Sequence, residues 1–117
     1  MSDHIDRWPT VSVVIPVLNE EQHLRNSVEA ILRQDYPGNF DVCLALGPSR
    51  DHTDDVAREL TQRFANVRTV ANPTGATPAG LNAAIRATSG EIVVRVDGHA
   101  VLPDGYITRA VETLQRT

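Results

Sequence analysis

Residue types that mark particular partners or environments are scarce in this sequence. Lysine is absent, so all 11 cationic side chains are arginines, and 15 acidic side chains outnumber them. The net charge of −4 excludes the basic surface expected of a nucleic-acid-binding protein. A single cysteine, Cys43, excludes an internal disulfide and predicts a reducing, cytoplasmic environment. No apolar run reaches the roughly 18 residues of a membrane span, so any membrane segment would lie beyond Thr117.

The composition that remains is that of an ordinary globular domain. Apolar residues make up 41% of the 117-residue chain and charged residues 22%, without an internal repeat or a low-complexity stretch. We expect a short polar tail over residues 1–8 and one folded domain over residues 9–117. Cys43 lies within an apolar segment, so its thiol is expected to be buried and unreactive.

Four apolar segments, mostly β-branched, alternate along the chain with segments of helical periodicity. Strands are predicted at residues 11–15, 42–46, 67–70 and 92–96. Helices are predicted after each of them, and the last helix covers residues 103–114. The side chains expected on the buried helix faces are Leu24, Val28, Ile31, Leu32, Val56, Leu60, Phe64, Leu81, Ala84 and Ile85.

Local signals predict where the elements begin and end. Pro16 is expected to end the first strand, and Asn19 with Gln22 three residues later is typical of a helix capping box. The second helix is expected to be capped near Asp51 or Thr53. Thr77 is expected to cap the third helix, with Pro78 in its first turn. Gly90 suits the left-handed position just past that helix.

This alternation predicts an α/β fold, a Rossmann-like three-layer sandwich with a mostly parallel sheet. Right-handed crossovers favour the strand order 3-2-1-4, in which the direction of growth reverses between the first and fourth strands. Ligands of such sheets bind beyond the carboxyl ends of the strands at that reversal. Residues 16–20 and 97–99 are therefore predicted to lie side by side at a binding site.

The sequence Asp97-Gly98-His99 follows directly after the fourth predicted strand. A carboxylate and an imidazole two residues apart can bind one cation, and this pair of ligand types suits Mn²⁺ better than Mg²⁺. The alternative is that Asp-Gly forms an ordinary turn and that His99 is merely solvated.

The sequence Asn19-Glu20-Glu21 also allows two interpretations. An amide cap followed by acids is favourable at a helix start, which would explain all three residues structurally. The functional alternative places Glu20, or the backbone of residues 16–18, beside a nucleotide base. Asp51 is expected to cap a helix. The glycine-containing loop over residues 72–80 would allow close approach of a ligand to the backbone.

Taken together, residues 11–21 resemble the opening strand and loop of family 2 glycosyltransferases with the GT-A fold. Residues 72–100, which end in Arg-Val-Asp-Gly-His-Ala, are similar to the third helix and metal motif of that family. The ending particularly resembles bacterial glycosyltransferases of the succinoglycan-biosynthesis type, which make polysaccharide. The resemblance covers roughly residues 9–115 and implies transfer of a sugar from a nucleoside-diphosphate sugar in the cytoplasm, with Mn²⁺ or Mg²⁺ as cofactor.

The resemblance also implies roles for individual residues. Asp97 would be the first acid of the metal motif, and His99 stands where many members carry the second acid. Residues expected to bind the donor are Pro16, Val17, Asn19, Glu20, Asn82 and Asp97.

Two departures from the family pattern qualify this expectation. Residues 46–49 read Leu-Gly-Pro-Ser, whereas typical members carry an acid there that recognises the base and ribose. The chain also stops one helix after the metal motif. It therefore resembles the donor-binding, N-terminal half of the fold, with the general base and the acceptor site in a missing half. We expect no catalytic residue in this chain.

Other readings of the same sequence remain open. One is a non-catalytic module of this fold that binds a nucleotide or a partner protein, and the missing acid in residues 46–49 favours it. Another is a nucleotidyltransferase, although residues 16–19 lack the glycine-rich basic loop that such an enzyme needs. Truncation would expose an edge strand or an apolar face, so the isolated chain is expected to associate with itself.

Overall fold

The computed structural model describes residues 7–115, so most of the expected tail over residues 1–8 lies outside the described residues. Four strands and four helices alternate along the chain, as predicted. They are β1 (Val11–Val17), α1 (Leu24–Leu32), β2 (Phe40–Leu46), α2 (Thr53–Arg63), β3 (Val67–Ala71), α3 (Thr77–Arg86), β4 (Ile92–Arg95) and α4 (Tyr106–Gln115). All strand pairs are parallel and the order is β3-β2-β1-β4, which confirms the predicted topology.

The sheet separates two apolar layers of unequal size. Helices α1, α2 and α4 pack on one face, where the larger core includes Ile15, Leu24, Leu60 and Ile107, each fully buried. Helix α3 covers the other face through Ala84 and through partly buried Leu81 and Ala87. Cys43 is buried beneath α3 as predicted, and burial raises the pKa of its thiol to about 11.

Strand β1 is longer than predicted, because Pro16 lies inside it and pairs with Ala45 of β2. The carbonyls of Thr10 and Val14 accept hydrogen bonds from β4 and from the residue after it. The backbone N–H and C=O groups of the even-numbered residues of β1 therefore point towards β4. The β1–β4 pairing ends at Val14. The missing N–H of Pro16 therefore falls where β4 has already ended, and no ladder hydrogen bond is lost.

Helix α1 begins at Leu24 rather than at Asn19, so the predicted capping box is wrong. His23 precedes the helix without a side-chain cap, and Asn19 adopts a left-handed φ of 52°. The competing interactions lie between β2 and the start of α2. The backbone N–H groups of Asn19 and Glu20 donate to side-chain hydroxyls of that connector and of the first residue of α2, rather than starting a helix.

Helix α3 confirms Pro78 in its first turn but corrects three other predictions. Ala76, not Thr77, precedes the helix. Ile85 is 45% exposed, because the small residues Gly80 and Ala84 form the buried face. Gly90 does not have a positive φ. A Cβ atom at Gly90 would lie 2.4 Å from Ser12 Oγ, so the glycine is required by close packing instead.

The buried side chain of Gln34, just beyond α1, is bonded to the start of the C-terminal helix. Gln34 Nε2 donates to the carbonyl of Pro103, and Gln34 Oε1 accepts from the N–H of Ile107 in the first turn of α4. Helix α4 therefore begins three residues after the predicted Pro103, behind Gly105 at a φ of 75°.

Strand β4 is an edge strand of the sheet within residues 7–115, where it pairs only with β1. Val93 on this strand is 41% exposed. Self-association through such an edge stays a prediction, which sedimentation equilibrium would test. None of the helices described over this range is both long and apolar enough to cross a membrane.

Candidate functional site

Three loops meet where β1, β2 and β4 end, as the topology predicts. The β1–α1 connector covers residues 18–23, the β2–α2 connector covers residues 47–52, and the β4 loop covers residues 96–100. Because β1 lies between β2 and β4 in the sheet, its connector is flanked by the other two. The predicted juxtaposition of residues 16–20 with residues 97–99 is therefore confirmed.

The β1–α1 and β2–α2 connectors are joined by reciprocal hydrogen bonds. The N–H of Asn19 donates to Ser49 Oγ at 2.9 Å, and Asn19 Oδ1 accepts from the N–H of Arg50 at 2.7 Å. Asn tolerates the left-handed backbone at this position better than most residues, and its side chain is short enough to bond locally. Asn19 thus fixes the connector rather than capping a helix.

The junction continues through the residues on either side of the start of α2. The N–H of Glu20 donates to Thr53 Oγ1 at 2.8 Å, and Thr53 is fully buried. Asp51 accepts from the N–H groups of Glu21 and Thr53 and from the Thr53 hydroxyl. The hydrogen bond from the Thr53 side chain is the main reason that the pKa of Asp51 lies below its ordinary value. Glu21 Oε1 in turn accepts from the N–H of His52.

The β4 loop contacts the β1–α1 connector through Glu20. Glu20 Oε2 lies 3.1 Å from His99 Nδ1, and the Glu20 side chain is only 17% exposed. Gly98 is buried against the same carboxylate, since a Cβ at Gly98 would lie 3.2 Å from Glu20 Cγ. Residues 79 positions apart in the sequence therefore form one side-chain pair.

Asp97 is the most open acid of this site. Its side chain is 56% exposed, and its polar side-chain contact is Arg95 Nη2 at 3.5 Å, a weak, solvent-exposed ion pair. The main chain of Asp97 forms the turn, because its carbonyl accepts from the N–H of Ala100. The side chain is thus not needed for the turn hydrogen bond. The turn itself and the 64% exposure of the His99 ring are also what the turn interpretation predicts.

Asp97 and His99 offer an oxygen and a nitrogen to a divalent cation, and this donor set fits Mn²⁺. Over the described residues 7–115, no group of three or more His, Cys, Asp or Glu side chains could enclose a metal. Two protein ligands suit a cation whose remaining positions are filled by a ligand's oxygens and by water, as is common for Mg²⁺ bound with phosphates.

The loop between β3 and α3 approaches the same edge of the sheet. Asn72, only 3% exposed, donates from its N–H to the carbonyl of Leu46 and from Nδ2 to the carbonyl of Ala76. The backbones of Gly47 and Gly75 pack closely, since a Cβ at Gly47 would lie 3.2 Å from Gly75 Cα. The sequence predicted a loop that a ligand could approach closely, and the hydrogen bonds of Asn72 tie this loop to the end of β2. An amide at a strand end is the signal that could have indicated this.

The predicted site residues do not all come together. Val17 is buried and Pro16 is half-buried in β1, so their side chains support the connector rather than face solvent. Asn82 is exposed on α3 and joins none of the hydrogen bonds of this site in the described part of the chain. Ser49, which helps to hold the connector in place, was not singled out by sequence, and Thr53 was expected only as a possible helix cap.

Comparison with known proteins identifies the family of this chain. The model of the family described as "Glycosyl transferase family 2" matches residues 12–117. Over 102 residues the chain is 33% identical to succinoglycan biosynthesis protein ExoA of Rhizobium meliloti (strain 1021), covering 86% of this chain and 31% of that protein. It is also 29% identical over 109 residues to a dolichyl N-acetyl-alpha-D-glucosaminyl phosphate 3-beta-D-2,3-diacetamido-2,3-dideoxy-beta-D-glucuronosyltransferase of Methanococcus voltae, covering 91% of this chain and 34% of that protein.

Among solved structures, a mannosyltransferase from Pyrobaculum calidifontis, in complex with GDP-Man and Mn²⁺, superimposes with a TM-score of 0.86 at 28% identity. The match covers 93% of this chain and 33% of that one, and it confirms the GT-A fold. The chain therefore spans about one third of the length of these relatives. Since the family model matches nearly the whole domain, the chain belongs to glycosyl transferase family 2.

Proposed function

We propose that this chain is the donor-binding half of a glycosyltransferase, which holds a nucleoside-diphosphate sugar at the carboxyl edge of the sheet. One observation carries the proposal. The β4 loop with Asp97 lies against the β1–α1 connector through the 3.1 Å contact between His99 and Glu20, so the predicted cation ligands adjoin the predicted nucleotide pocket. The Pyrobaculum mannosyltransferase, which binds GDP-Man and Mn²⁺, supports the choice of ligand.

The chain's own groups fit the two parts of such a donor. The hydrogen-bonded junction around Asn19 gives the nucleotide a fixed backbone surface, because both connectors are held before a ligand arrives. Asp97 and His99 would hold a divalent cation. Asn82, which is exposed on α3, would contact the donor. The cation would neutralise charge on the diphosphate leaving group.

The reaction itself requires groups that we do not assign to this chain. A general base must deprotonate the acceptor hydroxyl, and Asp97, the most open acid of the site, is assigned to the cation instead. We therefore expect residues 9–117 to bind the donor without transferring sugar at a useful rate. The intact enzyme would act in the cytoplasm in polysaccharide synthesis, in line with its similarity to the succinoglycan protein.

The second candidate is a non-catalytic nucleotide- or partner-binding module. One observation favours it: residues 46–49 carry no acid at the end of β2. The nearest acid in sequence, Asp51, is held by Thr53 and by the N–H of Glu21, so it does not replace the missing one.

Calorimetric titration of UDP and GDP, each with and without Mn²⁺, tests the proposal. We expect Mn²⁺-dependent binding of one nucleotide that is lost in Asp97→Ala, because the diphosphate is held through the cation. Asp35→Ala removes an exposed acid just beyond α1, at the opposite edge of the sheet, and is the matched control. Absence of binding by the unaltered chain under every condition would favour the partner-binding module.

A further inference from the structure

The environment of Glu20 is unusual for an acid expected to bind a ligand. Its side chain is 17% exposed, although it lies at the edge of the sheet among open loops. His99 Nδ1 is the hydrogen-bond partner of its carboxylate within residues 7–115. The carboxylate is thus turned into the protein and towards the β4 loop, not towards solvent.

Gly98 favours this contact. A Cβ at this position would lie 3.2 Å from Glu20 Cγ, which is tighter than most Cβ contacts, and 3.5 Å from Glu20 Oε2, which is an ordinary contact distance. A glycine between Asp97 and His99 therefore lets the β4 loop rest directly on the Glu20 side chain. The two neighbours of the glycine are the two predicted cation ligands.

The contact with Glu20 determines which nitrogen of the neutral His99 imidazole carries the proton. A carboxylate only accepts hydrogen bonds, so a neutral His99 in contact with it must carry its proton on Nδ1. The other ring nitrogen, Nε2, then keeps its lone pair, and the ring is 64% exposed. Metal-binding histidines commonly use this arrangement, in which a carboxylate bonded to one nitrogen sets the tautomer and orients the ring.

We propose that Glu20 is a positioning residue, which holds His99 in the Nδ1–H tautomer and leaves Nε2 available to a divalent cation. The cation rests on the proposed function, whereas the tautomer does not. This differs from the role predicted by sequence, in which Glu20 touches the nucleotide. A direct contact would make Glu20 matter for nucleotide binding with or without metal, whereas a positioning role makes it matter only when Mn²⁺ is present.

The tautomer can be measured in the full chain without any ligand. In long-range ¹H–¹⁵N spectra of the ¹⁵N-histidine-labelled protein at about pH 8, we expect the Nδ1–H pattern for His99. His99→Asn identifies the signals. Glu20→Gln introduces an amide that can donate to Nδ1, so the Nε2–H tautomer should gain population. Glu21→Gln is the matched control, because the neighbouring Glu21 bonds to the His52 N–H instead.

Mn²⁺ affinity, read from the free-ion signal in electron paramagnetic resonance, supplies the second readout. Loss of such a partner typically weakens metal binding about 10–100-fold, and we expect this for Glu20→Gln but not for Glu21→Gln. An Nε2–H tautomer in the unaltered protein, or equal Mn²⁺ affinity in the two variants, would overturn the inference. An unaltered chain that binds UDP or GDP but no Mn²⁺ would also overturn it, while leaving nucleotide binding in place.

Discussion

Two polar regions lie side by side at the carboxyl edge of the sheet, and their polar groups are satisfied in different ways. Between the β1–α1 and β2–α2 connectors, Asn19, Asp51 and Thr53 bond to backbone groups across the junction. In the β4 loop, the side chains of Asp97 and His99 are 56% and 64% exposed, each with one polar side-chain contact. The hydrogen bonds of the junction hold the two connectors together, whereas the β4 loop leaves side-chain oxygen and nitrogen atoms exposed to a ligand.

This difference in burial and pairing distinguishes residues that hold the site in shape from residues that are available to bind a ligand. Removing one partner of a buried hydrogen bond lowers the free energy of unfolding, because the group that remains is shielded from water and has no hydrogen bond in the protein. Exposed groups with weak partners can be replaced with little effect on folding. Stability measurements can therefore assign each residue to one class without knowing the ligand.

The largest effect is expected for Thr53→Val in the junction. Thr53 is fully buried and bonds to both the N–H of Glu20 and the carboxylate of Asp51. Valine leaves both groups without this partner, so we expect a loss of about 1–3 kcal/mol in the free energy of unfolding. Denaturant titration measures it. Thr61→Val, on an exposed turn of the same helix, is the control, and an equal loss there would contradict the comparison.

A smaller effect is expected from acidification, through Asp51. Its pKa is lowered in the folded protein by the Thr53 hydroxyl, so its stabilising contribution is present above the ordinary aspartate pKa of about 4. That contribution is lost as the pH falls through the lower folded value. The stability difference between the unaltered chain and Asp51→Asn should therefore shrink on acidification in denaturant titrations. Asp54→Asn removes an acid from the same helix start, and an identical pH dependence there would refute the assignment.

The sequence predicts the sheet of this protein better than its loops. Strand order follows from alternating elements and right-handed crossovers, and the adjacency of Glu20 to the β4 loop follows from strand order. The start of α1 could not be predicted, because Asn19 bonds to a connector 30 residues away. The same holds for Gly90, which is required by the close approach of Ser12 in β1. Local patterns do not contain such tertiary contacts.

The smallest expected effect on folding is that of Asp97→Ala, because this side chain is expected to bind a ligand rather than to stabilise the fold. The side chain is exposed, its contact with Arg95 is long, and the hydrogen bond of the turn uses only its backbone carbonyl. We expect the free energy of unfolding to change by no more than about 0.5 kcal/mol. An aspartate that stabilises a turn does so by bonding its side chain to the nearby backbone, so a larger loss that Asp97→Asn restores would favour the turn interpretation. An unchanged stability combined with lost Mn²⁺-dependent nucleotide binding would instead show that this carboxylate acts on a ligand and not on the fold.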